Sequence, residues 1–119
     1  MIVNPGSPSK FYDDRDILVA EFSEAGGFIR QCGSEGAGNG QFKRPDAIEV
    51  DVKGRVWVGD QNNARIQRFT ETGEYVSQFG TAGAGAGQFS FGWPMGISSD
   101  ANGNIWVSDT GNNRVQKWG

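Results

Sequence analysis

The stretch Gly54-Arg55-Val56-Trp57-Val58-Gly59-Asp60-Gln61-Asn62-Asn63-Ala64-Arg65-Ile66-Gln67-Arg68-Phe69 decides the fold, because the chain carries it twice. Its near-copy is Gly103-Asn104-Ile105-Trp106-Val107-Ser108-Asp109-Thr110-Gly111-Asn112-Asn113-Arg114-Val115-Gln116-Lys117-Trp118. Trp57 and Trp106, Asp60 and Asp109, Asn63 and Asn112, and Arg65 and Arg114 each stand 49 positions apart. Self-similarity on this scale points to a solenoid, a propeller or an array.

Outward from this stretch the repeat continues at a slightly different spacing. Phe22 and Phe69, Gly26 and Gly73, Phe28 and Tyr75, and Gln31 and Gln78 are separated by 47. The change to 49 comes from Ser90-Phe91-Gly92-Trp93 before Pro94, where the earlier copy has Lys43-Arg44 before Pro45. Breaker-rich residues 1–10 read as irregular. Short strands are expected at 17–22 and 28–31. The middle copy supplies four, at 47–51, 55–59, 65–69 and 75–79. Three more follow at 96–99, 104–108 and 114–118. Tight turns link them, Val52-Lys53-Gly54 among them, with glycine available for a positive φ. The glycine-rich run 33–40 reads as a flexible approach to Gln41-Phe42. The organisation is thus an N-terminal extension with the back half of a diverged blade (1–33), a complete blade (34–80) and a blade lacking its outer strand (81–119).

A half-buried strand alternates apolar and polar residues. Val56-Trp57-Val58 and Ile105-Trp106-Val107 do not, so both faces of those strands need cover. Radially arranged four-stranded sheets provide it, since each is sandwiched between neighbours. The expected fold is all-β, a partial β-propeller of four-stranded antiparallel meander blades.

The residues Gly-Gln-Phe, then Pro, Ile-Glu-Val-Asp, Gly, Val-Trp-Val, Asp, Asn and Arg-Ile-Gln resemble the NHL repeat. The resemblance covers 34–80 as a whole repeat, most of a second over 81–119, and the back half of an earlier one. It implies a β-propeller, commonly six-bladed, that serves mostly as an interaction platform. It also implies that about two and a half blades do not close a ring, so self-association or additional blades are expected to complete it.

Composition narrows the function. Nineteen glycines and a hydrophobic share of 36% suit a turn-rich β protein. A net charge of −3 offers no electrostatic footprint for nucleic acid or an anionic membrane. No apolar run is long enough to span a bilayer. Cys32 is the single cysteine, so no intrachain disulfide forms and the compartment stays open. Histidine is absent, which removes Ser-His-Asp and Cys-His catalysis and any His-ligated metal. No cofactor is expected: the glycine runs have the wrong spacing for phosphate loops. Asp100-Ala101-Asn102-Gly103 holds oxygen ligands but misses the EF-hand spacing, so it reads as turn chemistry.

In such a meander the loop between the second and third strands lies at the same end as the link into the next blade. Lys43, Arg44, Gln61, Asn62, Phe91, Trp93, Thr110 and Asn113 therefore share one rim, and loops on a rigid scaffold often carry binding. Trp93 and Arg44 are types enriched at binding hot spots. Trp57, Asp60, Asn63, Arg65, Trp106, Asp109, Asn112 and Arg114 recur in both copies and read as structural: a carboxylate for loop N–H groups, a guanidinium bridging strands, asparagines making Asx bonds. Gln41-Phe42 and Gln88-Phe89 are expected to plug the seam between blades, and Cys32 to be a buried thiol. The expected function is a non-enzymatic protein-interaction or scaffold module. The alternative is part of a metal-dependent propeller enzyme, a lyase or hydrolase, whose site further blades complete.

Overall fold

The computed structural model describes residues 9–12, 19–22, 28–90 and 96–119, and of residues 9–28 the backbone alone. Three antiparallel sheets follow one another along the chain. The first is β1 (Ser9–Tyr12), β2 (Val19–Phe22) and β3 (Phe28–Cys32), paired in that order. The second is β4 (Pro45–Val50), β5 (Val56–Asp60), β6 (Arg65–Phe69) and β7 (Tyr75–Phe79). A short parallel pair, β8 (Thr81–Ala82) and β9 (Gln88–Phe89), leads into the third sheet. That sheet is β10 (Ile97–Ser99), β11 (Ile105–Asp109) and β12 (Arg114–Trp118). Each is an up-and-down meander, and together they are three successive blades of a partial β-propeller. No helix among the described residues is long and apolar enough to cross a membrane.

The strand β1 corrects the reading of residues 1–10 as irregular, although 1–8 lie outside the described residues. Ser9 pairs with Phe22 as Val56 pairs with Phe69, and Lys10 with Glu21 as Trp57 with Arg68. The first blade therefore has three strands where the sequence suggested two. Ser9 looks like a loop residue, but pairing with β2 decides its conformation. Strands seldom form alone, and β1 shows no apolar alternation that would betray it. β3 pairs with β2, so it completes its own sheet.

Turn chemistry sets the register of the two later blades. Asp51 Oδ1 accepts the N–H groups of Lys53 and Arg55, each at 2.9 Å, and Gly54 takes the positive φ of 80°. Asp100 does the same for Asn102 and Asn104, at 2.9 and 3.0 Å. This is the Asx turn. The other carboxylate oxygen reaches across the hairpin: Trp57 Nε1 donates to Asp51 at 3.0 Å, and Trp106 Nε1 to Asp100 at 3.1 Å. Each tryptophan is thereby tied to the turn of its own hairpin.

The main seam lies between the second and third blades. Ala47, Trp57, Ala64 and Ile66 of one meet Phe89, Ile105 and Val107 of the other in a single buried cluster. Phe89 plugs this seam as expected, and Phe42 is likewise buried with Ile48, Val56, Val58 and Phe69, against Cys32 and Tyr75. Cys32 is half-buried rather than buried. Polar ties cross the same joint: Glu49 Oε2 accepts Ser99 N–H at 2.8 Å and its hydroxyl at 2.7 Å. Gly80 must be glycine, with φ at 105° and a Cβ that would run into the Phe89 ring.

One expectation fails. Both tryptophans were to be hidden by an adjacent sheet, yet Trp57 is 9% exposed and Trp106 is 40% exposed. The third blade covers Trp57, whereas among the described residues no sheet lies over Trp106.

One substitution tests the seam. Phe89→Ala removes its plug and is expected to cost about 3–5 kcal/mol in urea denaturation. A loss below about 1 kcal/mol would show that the seam is not a packed core.

Candidate functional site

Asp60 is fully buried and gathers three donors around it. Its Oδ1 accepts Lys43 N–H at 2.7 Å, and its Oδ2 accepts Asn63 Nδ2 at 2.8 Å and Arg65 Nε at 2.9 Å. The remaining guanidinium hydrogens of Arg65 go to main-chain carbonyls of the glycine-rich link. They reach Ala37 and Gly38 at 2.9 Å and Gln41 at 2.7 Å, with Gln78 Oε1 at 2.9 Å. Gln67, also fully buried, donates to Gln41 O at 2.7 Å and accepts Gly40 N–H at 2.9 Å.

The third blade repeats the arrangement. Asp109 accepts Ser90 N–H at 2.7 Å, Asn112 at 2.9 Å and Arg114 at 2.7 Å, and Gln116 adds a fourth donor at 3.2 Å. Arg114 then donates to Gly85 O and Gln88 O, both at 2.7 Å. These residues bond to one another and to the link, and one contact differs from the expected pattern. Asn63 and Asn112 do not make Asx turns: each Nδ2 donates backwards to a link carbonyl, Gly36 O or Gly83 O, at 3.0 Å. A buried carboxylate and an orphan carbonyl both need donors, and the amide serves both at once.

The same contacts correct the reading of 33–40 as a flexible approach. The link is a pinned loop, closed by Phe42 N–H on Ser34 O at 2.8 Å and Gly36 N–H on Phe42 O at 3.1 Å. Its glycines let carbonyls turn inward toward Arg65, and at Gly36, φ 151°, a Cβ would collide with the Gln41 amide.

On the rim, the structure brings Lys43 and Arg44 against Gln61 and Asn62. Gln61 N–H donates to Arg44 O and Asn62 N–H to Lys43 O, both at 3.0 Å. Lys43, Arg44 and Asn62 are exposed. Gln61 keeps its Oε1 buried, with no hydrogen-bond partner among the described residues. In the third blade the equivalent joint is Gly111 N–H on Ser90 O at 2.6 Å, which places Thr110 at the matching position. Asn113 is exposed at φ 54° and ends the short turn Thr110–Asn112, a left-handed position that asparagine tolerates. Phe91 and Trp93 lie outside the described residues.

Arg44 is the unusual rim residue. It is not glycine, yet its φ is 71°. Its side chain is 48% exposed and pairs through Nε with buried Asp46 at 3.2 Å.

Three carboxyls are held below the ordinary aspartate range. At Asp51 burial acts upward, but hydrogen bonds from Trp57, Arg55 and Lys53 outweigh it. At Asp109 burial again opposes, and Asn112, Ser90, Arg114 and Gln116 prevail. Asp100 is drawn down to about 2, chiefly by Trp106 and Asn104. All three stay ionised as acceptors, the state a structural carboxylate needs and a general acid does not. Sequence reasoning missed the Asp51–Trp57 and Asp100–Trp106 bonds. Their signal was present, in an aspartate six positions before each tryptophan.

Between the second and third blades lies a cavity of about 160 Å³ bordered by Arg55, Trp57, Arg68 and Trp118. Both guanidiniums sit over Trp57, at 5.4 and 5.7 Å from the ring centre. Among the described residues no three acidic or cysteine side chains converge as a metal site would require.

The NHL repeat family model matches residues 91–118. No curated protein matches the chain. Among solved structures, streptogramin B lyase matches with a TM-score of 0.65 at 15% identity, over 98% of this chain and 35% of its own. A catalytically inactive variant of virginiamycin B lyase from Staphylococcus aureus, with quinupristin, matches at 0.64 and 16% identity, over 98% of this chain and 39% of its own. The selenomethionine form of the same enzyme matches at 0.59 and 16%. The chain thus spans little more than a third of the length of these lyases. The likeness establishes the propeller fold.

Two outcomes are expected from the buried network. Asp60→Ala strands the Arg65 guanidinium and costs about 3–5 kcal/mol in chemical denaturation, against under about 0.5 kcal/mol for exposed Glu74→Ala. Because the folded carboxyls titrate below their ordinary value of 3.8, their contribution is whole above that pH and lost as pH falls toward 2. Urea midpoints should therefore decline from about pH 4 downward, and a flat profile between pH 5 and 2 would contradict the assignment.

Proposed function

We propose that the chain is a non-enzymatic protein-interaction module that receives an acidic segment of a partner protein on the rim formed by Lys43, Arg44 and Asn62. The observation that carries this reading is Arg44 itself. A left-handed backbone costs an L-residue roughly 1–2 kcal/mol, and glycine would avoid that cost. Strain of this kind collects at functional sites. Here it holds a half-exposed guanidinium beside the exposed ammonium of Lys43, on a loop fixed by two backbone hydrogen bonds. Arginine recognises carboxylates in a planar, two-bond geometry that lysine does not match. The basic rim stands out on a chain whose net charge is −3.

The composition also favours binding over catalysis. The chain has no histidine. The lyases it resembles are 15–16% identical to it, a likeness of fold alone.

Fluorescence polarisation with a labelled acidic decapeptide, against a neutral peptide of equal length, tests the reading. Arg44→Ala is expected to weaken acidic-peptide binding by roughly tenfold, the effect of losing one hot-spot residue. Arg44→Gly relieves the left-handed backbone but gives up the ion pair to buried Asp46, so stability should change by no more than about 1 kcal/mol while binding weakens equally, which separates function from fold. Equal binding of both peptides, or an Arg44→Gly variant that binds as well as the parent, would sink the proposal.

A further inference from the structure

The face of the third blade that bears Trp106 is built like the covered face of the second blade. Ala47, Trp57 and Ile66 occupy on the second blade the positions that Gly96, Trp106 and Val115 occupy on the third. On the second blade all three are buried under Phe89, Ile105 and Val107. On the third, Trp106 is 40% and Val115 64% exposed, and with Gly96, Ile97, Ser98 and Ser108 they line an open apolar depression of about 280 Å³.

This face is already set for a neighbour. Trp106 Nε1 is bonded to Asp100 at 3.1 Å as Trp57 Nε1 is to Asp51 at 3.0 Å. Lys117 lies 5.1 Å from the centre of the Trp106 ring, as Arg68 lies 5.7 Å from that of Trp57. The exposed side chains thus hold the same polar contacts as their buried counterparts, so docking would require little rearrangement. Beside them β12 pairs with β11 alone among the described residues, whereas its counterpart β6 pairs with both β5 and β7.

We propose that this face docks the first blade of a second copy of the chain, head to tail, repeating between molecules the joint that the second and third blades make within one. The first blade has the matching register. Ser9, Phe11 and Phe22 stand where the second blade has Val56, Val58 and Phe69 and where the third has Ile105, Val107 and Trp118. Phe11 is therefore at the position of Val107, which packs on Trp57 and Ile66 at the internal joint. A repeated joint of this kind is heterologous: it gives a ring if the rotation closes and a filament if it does not. The rim bearing Arg44 is a different surface, so this proposal does not rest on that one.

Native mass spectrometry and size exclusion of the 119-residue chain provide the test. The expected result is assembly into multiples of 12.8 kDa that persists in Arg44→Ala. Val115→Glu should weaken assembly at least about tenfold with the β circular-dichroism spectrum retained, since Val115 is largely exposed in a single copy. In a Cys32→Ser background, Val115→Cys with Phe11→Cys should cross-link different copies on mild oxidation, and either substitution alone should not. A monomer at all concentrations overturns the proposal. So does efficient cross-linking by Val115→Cys alone, which would mean that two such faces meet each other instead.

Discussion

The pairing of a buried carboxylate with a guanidinium on the neighbouring strand, Asp60 with buried Arg65 and again Asp109 with the partly exposed Arg114, is the constraint on which the remainder rests. Removing two charges from water is costly, and their attraction offsets the cost only when the other lone pairs and protons are also satisfied. Here they are. The carboxylate accepts a main-chain N–H, an asparagine amide and the guanidinium, and the guanidinium's remaining hydrogens meet carbonyls of the link. An interaction that is costly when incomplete specifies one path for a glycine-rich segment that has little apolar surface of its own to bury.

From that path the packing follows. Once Gln41 O and Gln88 O are held by Arg65 with Gln67 and by Arg114 with Gln116, the next residues, Phe42 and Phe89, are delivered into the apolar seams. Phe89 then meets Phe79 and Trp118 with ring centres 6.2 and 6.1 Å apart, both in tilted pairs within the usual aromatic contact range. Polar network and hydrophobic joint are successive consequences of one arrangement. This explains why a chain with a hydrophobic share of only 36% builds a close-packed interior.

The rim inherits its geometry from the same source. Asp60 Oδ1 holds Lys43 N–H from beneath, while Gln61 and Asn62 tie Arg44 O and Lys43 O from the side. A surface loop restrained by a buried carboxylate can hold a left-handed arginine that a free loop would relax. Structure and proposed recognition are coupled there through one aspartate.

Much of the architecture is legible without coordinates. The 49-residue recurrence, the four-strand meander and the structural character of Asp60, Arg65, Asp109 and Arg114 follow from residue identity, because period and chemistry are properties of side chains. The partners of Arg65 were not legible. They are carbonyls 24 to 28 positions away, and a carbonyl is the same in every residue. The strand β1 was equally hidden, since its conformation comes from pairing with β2 and not from its own pattern. Trp57 and Trp106 mark the boundary most sharply. They occupy the same place in the repeat, each with its aspartate and its cation, yet one is buried and the other lies open. Sequence determined what each tryptophan is prepared to meet; only the placing of one sheet against the next decided which of them met it.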